Sequence, residues 1–91
     1  MNFPQDVMTA ADRIGPYIRK THLTHSRSFS DLVNADVWFK LENLQITGSF
    51  KARGAVNKIL SLKDQERTQG VVSASTGNHG AAVAYAAGEL N

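Results

Sequence analysis

Two strand-to-helix joints constrain this chain more than anything else in it. The first runs Lys40-Leu-Glu-Asn-Leu-Gln-Ile-Thr-Gly-Ser-Phe-Lys-Ala-Arg-Gly-Ala55, and the second Ser73-Ala-Ser-Thr-Gly-Asn-His-Gly80. Each follows a short apolar run, Ala35–Leu41 or Val71–Ala74, that reads as a strand. Val37, Trp38 and Phe39 suit a pleated, packed surface, with Trp38 in the core. Each joint then opens a helical pattern. Over about Ser49–Leu62, the residues Ala52, Ala55, Val56, Ile59 and Leu60 fall on one apolar stripe. Over about His79–Leu90, the small residues Ala82, Val83, Ala86 and Ala87 face inward and let a helix sit close to a sheet. A strand feeding a helix twice over predicts an α/β layer architecture with parallel pairing.

The remaining elements lie before and between the joints. Pro4 to about Tyr17 predicts a helix, with Val7, Ala10, Ala11, Ile14 and Ile18 at helical spacing and Gly15-Pro16 ending or bending it. Lys20–Ser28 reads as extended or loop, and a short helix follows to Val33 with Ser28 as its cap. Asn43–Gly48 is a loop. Lys63–Gln69 is polar and carries a turn. Two strands do not complete a parallel sheet, which wants several strands and helices on both faces. The 91 residues also fall below the common domain size of roughly 100–150. The chain therefore reads as the opening part of a larger protein.

Composition removes several function classes. A hydrophobic fraction of 42% against 20% charged fits a folded chain rather than a disordered one. With no cysteine, disulfides, thiolate zinc sites and cysteine nucleophiles are excluded. His22 and His25 make no metal spacing with His79, so no metal site is assigned. The ten basic residues are scattered and the net charge is only +2, a poor footprint for nucleic acid. Arg13, Arg19 and Lys20 read as solvated, and Arg53 and Glu42 as a structural pair. No apolar run approaches the roughly 20 residues of a membrane span. The first residues lack the basic and apolar regions of a signal peptide, so a cytoplasmic location is the default.

The chemistry concentrates at the joints. A lysine is ordinarily protonated and not a nucleophile; losing solvent or meeting positive potential favours its neutral amine. Lys51 stands in a first helical turn, where the dipole disfavours an ammonium. Thr47 and Ser49 are candidate caps, Gly48 permits an unusual backbone angle, and Phe50 and Ala52 can pack around the lysine stem. Most lysines at helix starts are solvated surface charges, so placement alone identifies no cofactor. The Ser75-Thr76-Gly77-Asn78-His79-Gly80 loop leads into a helix N-terminus. Its free N–H groups and hydroxyls suit a carboxylate or phosphate. The plain alternative is a turn capped by Asn78. No Gly-Lys-Ser/Thr follows, so this is not a Walker loop.

Taken together, Thr47-Gly-Ser-Phe-Lys-Ala-Arg-Gly-Ala55 and Ser73-Ala-Ser-Thr-Gly-Asn-His-Gly80 resemble the fold-type II pyridoxal-phosphate enzymes. The threonine/serine dehydratase and serine racemase group is the nearest branch. Val37-Trp-Phe-Lys-Leu-Glu-Asn-Leu-Gln45 and Ala81-Ala-Val-Ala-Tyr-Ala-Ala87 are similar to that group too. The resemblance implies a parallel sheet flanked by helices, incomplete here. About residues 1–48 would lead into the large domain, and about 49–91 would start the small one. It implies pyridoxal 5′-phosphate as cofactor, with Lys51 holding it covalently, Phe50 beside it, and Asn78 hydrogen-bonded to its 3-hydroxyl. Ser75, Thr76, Gly77 and His79 would grip the substrate carboxylate. The implied activity is β-elimination from serine or threonine, giving a 2-keto acid and ammonia, in a homo-oligomer.

The family's phosphate cup lies downstream of the segment these motifs span, so the 91 residues alone are expected to be inactive. A chain that only binds a small anion or oligomerises is the alternative from another class. Thr24-His25 stands where relatives often carry Thr-Pro. Thr76 stands where serine racemases carry a Ser acid/base and threonine dehydratases usually Ala. Racemisation, or the dehydration step of hydroxyectoine breakdown, therefore stays open beside elimination.

Overall fold

The computed structural model describes residues 1–90. Asn2 opens α1 (Phe3–Ile14): its side-chain oxygen accepts a hydrogen bond from the Gln5 N–H at 3.2 Å. Pro4 sits in the first turn, where a missing N–H is harmless. A 3₁₀ turn over Gly15–Tyr17 ends the helix at the Gly15-Pro16 break. Then come β1 (Leu23–His25), α2 (Arg27–Val33) and β2 (Trp38–Lys40). A second 3₁₀ turn, Glu42–Leu44, leads towards α3 (Lys51–Leu60), α4 (Asp64–Gln69) and α5 (Asn78–Glu89).

The core lies where α3 packs on α5. Ala52, Val56, Ala82 and Ala86 are fully buried, and Ile14, Ala55 and Ile59 nearly so. The predicted stripe of α3 is thus the buried face. The alanines of α5 let two helix backbones approach closely, so α5 is seated on a helix where the sequence suggested a sheet. α1 contributes Ile14, and Tyr17 and Ile18 close over it. The Tyr85 hydroxyl donates to the Tyr17 carbonyl and ties α5 to the end of α1. Arg13, expected to be merely solvated, donates to Asn57 Oδ1 of α3 at 2.8 Å.

Several expectations change. Val71–Ala74 forms no strand; these residues are exposed, Val72 completely. An extended run becomes a strand only when a neighbour takes its N–H and C=O groups. The one ladder among the described residues is antiparallel, β1 with β2, in the register Leu23↔Lys40, Thr24↔Phe39 and His25↔Trp38. The parallel pairing predicted within this segment is therefore not made. Trp38 is 54% exposed rather than in the core, its ring edge-on to His25 with centroids 4.9 Å apart. α2 is capped by Ser26, not Ser28: the Ser26 backbone is extended and its Oγ accepts from the Phe29 N–H at 3.3 Å. The polar Lys63–Gln69 stretch is helical as α4, with the Glu66 carboxylate reaching back to the Lys63 N–H at 2.7 Å. Among the described residues no helix is long and apolar enough to cross a membrane.

Candidate functional site

β2 delivers the chain to the turn that precedes α3. The Gly48 N–H donates to the Gln45 carbonyl at 2.8 Å, and Gly48 has φ +80°, a left-handed conformation that a side chain would oppose. Ser49, buried, accepts the Lys51 N–H on its Oγ at 3.3 Å, so it serves the helix start as expected. Thr47 does not: its Oγ1 is buried with no hydrogen-bond partner among the described residues. Lys51 is the first residue of α3 and is exposed. Its Nζ lies 5.3 Å from the centroid of the Phe50 ring. Ala52, expected to pack on the lysine stem, is instead fully buried in the core.

The loop is fastened from below. The Glu42 carboxylate accepts from Thr21 Oγ1 at 2.6 Å and from Arg53 through Nε and, at 3.3 Å, Nη2. The Arg53 hydrogen bond is the main reason the Glu42 pKa falls from 4.5 to about 2; burial opposes the shift and Thr21 assists it. The predicted Arg53–Glu42 pair is therefore present. Gln45 is 2% exposed. Its Oε1 accepts from the Arg19 and Ile46 N–H groups at 2.8 and 2.9 Å, and its Nε2 donates to the Arg19 carbonyl at 2.9 Å.

Between α3 and the start of α5 lies an open cleft of about 480 Å³, inside the usual range for small-ligand sites. Lys51, Phe50 and His79 all line it, so the structure brings these three together. Ser75, Thr76, Gly77 and Asn78 do not line it; they form the exposed joint beside it. Asn78 is the first residue of α5 rather than its cap, and Gly77 precedes the helix. Ser75 Oγ accepts the Gly77 N–H at 3.2 Å, which occupies one donor the sequence had offered to an anion. Ser75 rests against α5 at Gly80, where a Cβ would stand 3.4 Å from Ser75 Cβ, in ordinary contact.

Sequence reasoning missed the rest of the lining. Lys58 and Gly54 of α3 share the Lys51 face, and Val71, Val72 and Val83 supply apolar wall. The signal was the helical spacing from Lys51, three residues to Gly54 and seven to Lys58. A primary amine and an aromatic ring at the mouth of an apolar cleft fit a flat aromatic aldehyde. Among the described residues no group of three or more His, Asp or Glu converges as a metal cluster would.

The comparisons agree with that chemistry. The chain is 48% identical over 82 residues to the serine racemase of Dictyostelium discoideum, covering 90% of this chain and 25% of that protein. It is 45% identical over 83 residues to the L-threonine ammonia-lyase of Thermotoga maritima, covering 91% of this chain and 21% of that protein. The crystal structure of the Dictyostelium serine racemase matches with a TM-score of 0.84, over 90% of this chain and 27% of that one. The chain thus spans about a quarter of the length of the curated relatives it matches. Its elements are part of the fold-type II architecture of those enzymes. A sequence profile described as pyridoxal-phosphate dependent enzyme matches residues 14–91, and on that extent of agreement the chain belongs to the pyridoxal-phosphate dependent enzyme family.

Proposed function

We propose that this chain is the lysine-bearing part of a pyridoxal-phosphate dependent ammonia-lyase acting on a small β-hydroxy amino acid. The observation that carries the reading is the shared cleft: Lys51 at the start of α3 and His79 at the start of α5 face one apolar space. The matched relatives named as threonine ammonia-lyase and serine racemase support the substrate class.

In this reading Lys51 holds the cofactor through its ε-nitrogen, with the Phe50 ring against it and Asn78 hydrogen-bonded to its ring hydroxyl. Bound there, pyridoxal 5′-phosphate supplies an electron sink. With its ε-amine free, Lys51 would take the substrate α proton as general base. Ser75, Thr76, Gly77 and His79 offer hydroxyls and helix-start N–H groups to the substrate carboxylate. Fixing the carboxylate orients the α C–H bond for proton removal. The β-hydroxyl would leave with a proton as water, and hydrolysis of the released 2-aminoacrylate by a second water would give the 2-keto acid and ammonia. Residues up to about 48 are assigned to the large domain and those from about 49 to the small one, in a cytoplasmic homo-oligomer.

The test is chemical trapping. Incubation of the chain with pyridoxal 5′-phosphate, borohydride reduction and peptide mapping should place the label on Lys51, and Lys51→Ala should remove it. Lys58 lines the same cleft and is the rival. A label on Lys58 or on any other lysine refutes the assignment.

A further inference from the structure

The proposed chemistry leaves Glu42 and Gln45 unused, although both stand in a motif the sequence singled out and both are tightly engaged. Gln45 uses each end of its amide. The oxygen accepts from two N–H groups, and the nitrogen donates to the Arg19 carbonyl and, at 3.4 Å, to Glu42 Oε2. It thereby fastens the turn before α3 to backbone 26 residues upstream. Glu42 does the same on the far side of Lys51: it bonds Arg53, two residues past Lys51, and Thr21. Ser49 holds the Lys51 N–H between them. The Lys51 side chain, by contrast, is exposed beside the Phe50 ring.

We propose that Glu42 and Gln45 are positioning residues for Lys51: together they clamp the backbone on both sides of it and leave its side chain free to move. This rests on the reading of Lys51 as the cofactor lysine. Neither residue touches the cleft, so neither is catalytic. The physical need is real, since a misplacement of about 1 Å at a reacting group can cost about a hundredfold. A buried amide with four partners is a stiff restraint, because each group left unpaired in the interior is penalised.

Gln45→Ala and Glu42→Gln, made separately in this chain, test it with two readouts. The first is hydrogen exchange of the peptide spanning 45–51 against that spanning 81–89. The clamp requires exchange at 45–51 to speed up by about tenfold, the equivalent of one buried hydrogen bond, with 81–89 unchanged. The second is borohydride trapping with pyridoxal 5′-phosphate, read as the ratio of label on Lys51 to label on Lys58. Lys58 lies beyond Arg53 in the same helix and cleft, so it is an internal control. The ratio should fall by about tenfold in both variants. Unchanged exchange at 45–51 in both variants overturns the clamp, as does an equal loss at Lys51 and Lys58, which would signify general loosening of α3. If the parent chain labels another lysine, the cofactor assignment fails, and the exchange result still decides the clamp.

Discussion

Glu42 makes this chain's stability depend on pH in a way that one substitution can isolate. The carboxyl has its pKa drawn from 4.5 to about 2, chiefly by the hydrogen bond from Arg53. Its side chain is 13% exposed and that of Arg53 35%. Taken at face value the shift corresponds to about 3 kcal/mol. Water around the Arg53 end screens the pair, so about 2 kcal/mol is the expected magnitude. The sign follows from the depressed value. Stability from ionised Glu42 is complete above about pH 4.5 and is lost as the pH falls towards 2. Glu42→Gln does not titrate there. Urea unfolding of both proteins at several pH values between 6 and 2 should show the parent's advantage shrinking by about 2 kcal/mol on acidification. The other carboxylates cancel in the difference. Parallel stability curves, offset by a constant, would refute the reasoning.

Two further perturbations probe the core. Val56 is fully buried between α3 and α5, so Val56→Ala should cost about 2 kcal/mol in denaturant unfolding, from lost transfer energy plus an incompletely closed cavity. Tyr85→Phe removes the hydroxyl that donates to the Tyr17 carbonyl. It should cost about 1 kcal/mol and speed exchange near Tyr17 while leaving α3 protected.

Helices α3 and α5 are legible in the sequence because their burial follows their own period. α3 and α5 bury the stripe that the spacing of Ala52, Val56, Ala82 and Ala86 marks out. Elements that depend on a neighbour are not. Val71–Ala74 has strand-like residues, yet a ladder is a relation between two segments, and no described segment pairs with it. Trp38 was placed in the core for the same reason, by its type rather than by what covers it. α4 escaped because it has no apolar stripe; its helix is started by Glu66 reaching back to Lys63.

At the site, the family motifs singled out Lys51, Phe50 and His79, and the cleft unites them. The Ser75–Asn78 joint, read as part of the same grip, stands to one side. Gln45 stands in a segment similar to the family, yet its place in the sequence assigns it no role. A glutamine next to leucine in a loop looks like a solvated residue, and only the fold reveals that Arg19 lies within reach of both its amide atoms.

The unequal treatment of Lys51, whose main-chain N–H is held by Ser49 while its side chain is exposed, divides the entropy of ligand capture in two. Ordering of the peptide around it is completed when the protein folds. What remains for an incoming molecule to restrict is the rotamer freedom of one lysine, about 2 kcal/mol at most. An amine so mounted can reach, let go and return without any part of the scaffold having to rearrange.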